Sequence, residues 1–136
     1  MERFSVKGVL EGNKVKVIIG NKEFNIGMPN SGFPTPEEFL LASALSCELL
    51  TLFYYANQKG LKIENVNGKI EGEIDIRGFL GDPKIPPGFL TITYEIEVKS
   101  NNKEAIKELA EIAEKRCPIK DTITRGVKIN INWKID

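Results

Sequence analysis

The chain has 136 residues, with 19 basic residues balanced by 19 acidic ones, near the size of one domain that buries about two thirds of its unfolded surface. Zero net charge gives no general attraction to phosphate backbones or anionic bilayers, which argues against nucleic acid or a membrane as partner. The absence of histidine removes imidazole-based hydrolase machinery and zinc sites that mix imidazole with thiolate, so no metal is expected.

The opening, MERFSVKGVLEG, has no apolar run behind its charges and does not read as a signal peptide. No stretch of about twenty residues is apolar without interruption. A single domain over residues 1–136, soluble and cytoplasmic, is the expectation. Phe4, Val6 and Val9 begin an alternating strand, Glu11-Gly12-Asn13 turns it into Val15, Val17 and Ile19, and Gly20-Asn21 leads on to Phe24 and Ile26. These signals predict three short antiparallel strands. Met28 to Pro36 carries loop chemistry, which ends where Thr35 can cap a helix. Pro36 suits the first helical position, and Glu38 can close a capping box.

From Phe39 to Ala56 the predicted helix is apolar on nearly every face, broken by Ser43, Ser46, Cys47, Glu48 and Thr51. Such a helix is expected to be surrounded by protein, and a second subunit is the simplest cover. Asn57, Lys59 and Gly60 end it. A strand region with Val66, Ile70, Ile74 and Ile76 follows, then FLGDPKIPPG as a long connection and Leu90 to Val98 as its partner strand. Ser100 or Asn102 caps an amphipathic helix carrying Ile106, Leu109, Ile112 and Ala113. Pro118 disfavours helical geometry at Cys117, so that helix should break there and restart as a short turn before a last strand, Val127 to Trp133. The order predicts an α+β fold with a largely antiparallel six-stranded sheet, packed on a buried central helix and a second amphipathic one.

Two cysteines, Cys47 and Cys117, are the only soft nucleophiles, so thiol redox chemistry is the natural candidate activity. In a reducing cytosol they are expected to be free or redox-active rather than a structural staple. Cys47 stands twelve residues beyond Thr35, outside the reach of the helix N-terminus, and a thiolate there needs tertiary neighbours. Glu48 would oppose that thiolate if it shared the pocket, although successive helix positions diverge by about 100°. At a helix restart Cys117 would gain amide donors, with Arg116 and Lys120 close in sequence, and these should favour its thiolate. Phe39, Leu40, Phe53 and Tyr54 are candidate linings for an apolar substrate, and equally ordinary core residues.

With TPEEFLLASALSC opening the central helix and CPIK after the second one, the chain resembles the OsmC family, which includes the Ohr organic hydroperoxide resistance proteins. The resemblance implies an OsmC-like fold in an intertwined homodimer with active sites at the subunit interface. It implies a thiol-dependent peroxidase for organic hydroperoxides or hydrogen peroxide, acting in oxidative stress defence. Cys47 matches the peroxidatic cysteine, Cys117 the resolving one, and Glu37 the helix-start glutamate. No cofactor is implied beyond an external dithiol, such as a lipoyl protein or a thioredoxin-like reductant.

The family also places an arginine near the first hairpin to hold the thiolate, and no arginine lies between Phe4 and Phe24 here. Either Lys14 or Lys16 substitutes for it, or a residue arrives from elsewhere, or the site has another task. Glu37 precedes Cys47 by ten positions, about 15 Å along a straight helix, so it is expected to serve the thiol of the neighbouring subunit if it serves one at all. The competing reading is a noncatalytic OsmC-like homodimer that binds a small apolar ligand or another protein and keeps both cysteines as buried core residues.

Overall fold

The computed structural model describes every residue from Met1 to Asp136 and contains five strands and four helices. The chain separates into two units, Met1–Ala42 and Ser43–Asp136.

In the first unit, strands β1 (Lys7–Glu11), β2 (Lys14–Ile19) and β3 (Lys22–Gly27) form an antiparallel meander. Leu10 pairs with Val15, and Val17 with Phe24. Both turns place a glycine at positive φ, Gly12 at 64° and Gly20 at 62°, a conformation that side-chain-bearing residues resist. Phe4 and Val6 precede the first ladder and are exposed, so β1 begins later than their alternation predicts. Beyond β3 the loop is closed by the Gly27 N–H donating to the Pro34 carbonyl at 2.9 Å. Thr35 then forms the expected capping box: its Oγ1 accepts from the Glu38 N–H at 3.1 Å, while Glu38 Oε1 accepts from the Thr35 N–H at 3.0 Å. Phe39 packs edge-on against Phe24 with ring centroids 6.1 Å apart.

Helix α1 (Pro36–Gln58) starts at this cap and runs on through the second unit. It ends as the sequence suggests. Gly60 takes φ 66°, and the Leu61 N–H turns back to the Ala56 carbonyl at 2.9 Å. Ala44, Glu48, Leu52 and Ala56, four apart, form its buried stripe. Leu52 and Ala56 meet Leu109 and Ala113, with Tyr55, Ile63, Val66, Val98 and Ile106 packed around them. Burial on nearly every face does not hold for the single chain, since Leu50, Phe53 and Tyr54 are 64%, 57% and 56% exposed. By length and composition alone α1 is also apolar enough to cross a membrane, a test that the core helix of a soluble protein passes as well.

Strands β4 (Asn65–Ile74) and β5 (Phe89–Lys99) pair antiparallel, Ile70 with Tyr94 and Val66 with Val98. Alternate residues turn inward along both. A Cβ on Gly68 would stand 3.0 Å from Leu45 Cδ1, so the missing side chain is what lets α1 lie close to the ribbon. Ile76 leaves the strand, contrary to its place in the apolar pattern. Asp75 caps the short helix α2 (Ile76–Phe79) by accepting from the Arg77 N–H at 3.1 Å and also grips the Arg77 guanidinium at 2.6 Å. Local capping by aspartate overrides the strand period here.

Asn102 caps α3 (Lys103–Arg116), its Oδ1 accepting from the Ala105 N–H at 3.1 Å. Cys117 then separates α3 from α4 (Pro118–Arg125) in an extended conformation, φ −66° and ψ 114°. The restart is a helix of eight residues rather than a short turn. The predicted last strand, Val127 to Trp133, does not form. The strands therefore make two sheets, β1-β2-β3 and β4-β5, instead of one sheet of six. The period-two signal is real, with Val127, Ile129, Ile131 and Trp133 in alternation, but a strand exists only as part of a ladder and no other strand of this chain pairs with these residues.

Candidate active site

Position 47 on α1 and position 117 at the start of α4 are seventy residues apart in sequence, yet the fold brings them close enough for Cys47 to act on the Cys117 thiol. Neither is in a disulfide. Three local causes bring Cys117 there. Ala113, one turn earlier on α3, packs into the core with α1. Pro118 ends α3, and Cys117 takes the extended conformation that a residue before proline prefers. The Cys117 Sγ then caps α4, accepting from the Lys120 N–H at 3.5 Å.

The two thiols differ in access. Cys47 is half-buried and lines an open groove of about 550 Å³ with Ser43, Ser46, Leu50, Thr51, Tyr54, Tyr55, Arg116 and Pro118. Cys117 lies behind it, 1% exposed. Burial pushes the Cys117 thiol up to about 11; the Lys120 N–H works against this, the hydrogen bond and charge of Cys47 add to it, and the Ile119 N–H again opposes it. The amide donors do favour the Cys117 thiolate as expected, but desolvation exceeds what the two of them return, so the thiol is raised overall.

Sequence reasoning left the direction of Glu48 open, and the structure brings it into the cluster. It is 6% exposed, and its Oε2 has no hydrogen-bond partner. Its carboxyl is held above the usual range mainly by burial, against a hydrogen bond from the Cys117 thiol and the charge of Lys120, with Glu114 pushing the same way as burial. Tyr94, from β5, is raised by burial and then by the charges of Cys117, Glu48 and Cys47. The helical phase was the available signal. Glu48 falls on the stripe of Ala44, Leu52 and Ala56 at intervals of four.

Lys120 does reach the site, but its main-chain N–H serves Cys117 while its ammonium charge acts on Glu48 and its Nζ donates to the Glu114 carbonyl at 3.1 Å. Arg116 lies over the Tyr55 ring, 5.1 Å from its centroid, at the groove wall. Tyr54 lines the groove and Phe53 is exposed without lining it. Glu37, Phe39, Leu40 and Lys14 belong to the first unit. Glu37 sits in the first turn of α1, ten residues before Cys47 on the same helix, and Lys14 lies 5.5 Å from the Phe33 ring centroid. No group of three or more His, Cys, Asp or Glu side chains is arranged to hold a metal ion.

Comparison with known proteins bears on the whole arrangement. The sequence pattern of the family described as OsmC-like protein matches residues 29–132. An OsmC-like protein from Mycoplasma pneumoniae superposes with a TM-score of 0.79 at 24% identity, over 96% of this chain and 95% of that one. The organic hydroperoxide resistance protein OsmC from Legionella pneumophila gives 0.70 at 20% identity, over 91% and 90%. The organic hydroperoxide resistance protein OhrB of Bacillus subtilis gives 0.63 at 22%, over 92% of each chain. No curated protein sequence matches the chain.

Proposed function

Since the chain belongs to the OsmC-like protein family, we propose that it is a cytoplasmic thiol-dependent peroxidase that reduces organic hydroperoxides, or hydrogen peroxide, in oxidative stress defence. Cys47 is the attacking thiol. Its sulfur takes the distal peroxide oxygen, so that an S–O bond forms as the O–O bond breaks, and the alkoxide leaves as an alcohol on gaining a proton. Cys117 then displaces the hydroxyl of the resulting sulfenic acid, giving a Cys47–Cys117 disulfide and water. An external dithiol, a lipoyl protein or a thioredoxin-like reductant, returns both thiols.

The observation that carries this reading is the pairing of a half-buried thiol with a fully buried one near enough to feel it. That is the order of exposure a two-cysteine peroxidase needs, since substrate must reach the first sulfur and only the first must reach the second. The apolar wall at Leu50 and Tyr54 suits the organic part of a hydroperoxide. Exposed Leu50 and Phe53 on α1, and the alternating Val127, Ile129, Ile131 and Trp133, support assembly as a homodimer.

A second reading keeps the homodimer without catalysis. It is favoured by Cys117 itself, whose 1% exposure and raised thiol suit an inert core cysteine. One assay separates the two. Reduced protein is mixed with cumene hydroperoxide and a dithiol, and peroxide loss is followed. Sustained turnover that Cys47→Ser abolishes supports the peroxidase; stoichiometrically intact peroxide and unchanged free thiols support the noncatalytic homodimer.

A further inference from the structure

Glu48 is not needed to explain the fold. It is a carboxyl on the buried stripe of α1, 6% exposed, in a position where Ala44, Leu52 and Ala56 are small or apolar. Its Oε2 has no partner, and its remaining hydrogen-bonding contact is with the Cys117 thiol. A carboxyl held this way costs stability, and among its neighbours is a thiol that cannot react until it loses a proton.

We propose that Glu48 is the catalytic base for Cys117: its carboxylate takes the thiol proton as Cys117 attacks the oxidised Cys47, and the carboxylic acid so formed returns that proton to the departing group. The inference rests on the two-thiol reading above. When Cys47 is a sulfenic acid, the S–S bond forms as the S–O bond breaks, and hydroxide leaves as water with the proton that Glu48 carried. Nothing else is consumed. Every neighbour that faces Glu48 bears on its task. Lys120 from α4 favours the carboxylate, whereas Glu114 from α3 and burial favour the acid. Tyr94 from β5 and Cys47 complete the surroundings. A carboxyl above its usual range is a stronger base than one in water, which narrows its gap to a Cys117 thiol near 11.

The test uses the full-length protein and does not depend on a peroxide. Cys47, the more accessible thiol, is converted to its mixed disulfide with thionitrobenzoate. Attack by Cys117 then releases the coloured thiol while forming the Cys47–Cys117 disulfide, and this rate is read across pH. The wild-type rate is expected to rise as the Glu48 carboxyl ionises and then to level. Glu48→Gln is expected to be slower by about 100-fold near neutrality, with a rate that keeps climbing toward the pKa of Cys117 so that the deficit shrinks in alkali. Equal rates near neutrality overturn the proposal, as does a deficit of the same size at every pH, which marks a merely structural role. Should the variant fail to fold, the wild-type profile alone decides, because a rate that tracks only the Cys117 thiol with no earlier break overturns it.

A parallel arm with cumene hydroperoxide separates this role from the reading beneath it. Release of thionitrobenzoate that depends on Glu48, without any reaction with peroxide, keeps the base and rejects the peroxidase. Peroxide turnover in which Glu48→Gln closes its disulfide at the wild-type rate does the reverse.

Discussion

Replacing Glu48 by methionine should make the protein more stable and less able to close its disulfide. The side chains have similar length, and Met fills the stripe with no polar atom. Two terms oppose one another. The variant removes a buried acceptor, Oε2, that has no partner, a defect worth about 1–3 kcal/mol. It also removes the hydrogen bond from Cys117, but a thiol is a weak donor and leaving it unpaired costs little. Burial, with the Glu114 charge on its side, already outweighs both that bond and the Lys120 charge in setting the direction of the Glu48 shift, so the desolvation side wins. The net gain at neutral pH should be about 1–2 kcal/mol.

The sign of the pH dependence follows. An acid raised in the folded state binds more protons there than in the unfolded chain, so stability is fullest below the ordinary glutamate range and is lost as pH climbs through the raised value. Urea unfolding of both proteins from acid to neutral pH should give curves that nearly coincide in acid and separate in favour of the variant as pH rises. A gap that is constant with pH, or one that favours the wild type near neutrality, would refute the argument and mean that the carboxylate is satisfied.

Four other outcomes are expected. Cys117→Ser should leave one stoichiometric oxidation of Cys47, and mass spectrometry should find the added oxygen progressing to sulfinic acid where the wild type gives a disulfide. Thr35→Ala removes an N-cap that accepts from Glu38 at 3.1 Å, and thermal unfolding should register a loss of about 1 kcal/mol. The capping contribution of Glu38, whose carboxyl the Thr35 donors hold below the usual range, is present above the ordinary glutamate pKa and fades as pH falls through the lowered value. Leu109→Ala empties a site with 0% exposure between α3 and α1, and denaturant unfolding should show a loss of about 2–5 kcal/mol.

What could be read from the sequence was set by chemistry within one or two turns of chain. Thr35, Pro36 and Glu38 define a helix start among themselves, and Pro118 fixes the backbone of the residue before it, so both boundaries were legible at single-residue precision. Cys47 and Cys117 were legible as a pair through the motifs around them. Four features depend on distant partners or competing local contacts and were not. The alternation at Val127 to Trp133 is sound, but pairing is settled by what lies alongside. Ile76 fits the strand period, yet Asp75 captures the next turn with its own side chain. The inward turn of Glu48 depends on which face of α1 the α3 helix covers, and burial sets the protonation of Cys117 after that docking is complete.

Cys117 closes one helix and opens the next, and its sulfur is the atom that receives the Lys120 amide. An acceptor drawn into a covalent bond with Cys47 has less electron density to offer, so oxidising the pair would loosen the first turn of α4 even with the rest of the chain held still. Deuterium uptake at the Lys120 amide would then run faster in oxidised protein than in reduced protein. The chemical state of two sulfur atoms would be written into the fraying of a helix whose far end, at Arg125, leads directly into the exposed apolar tail.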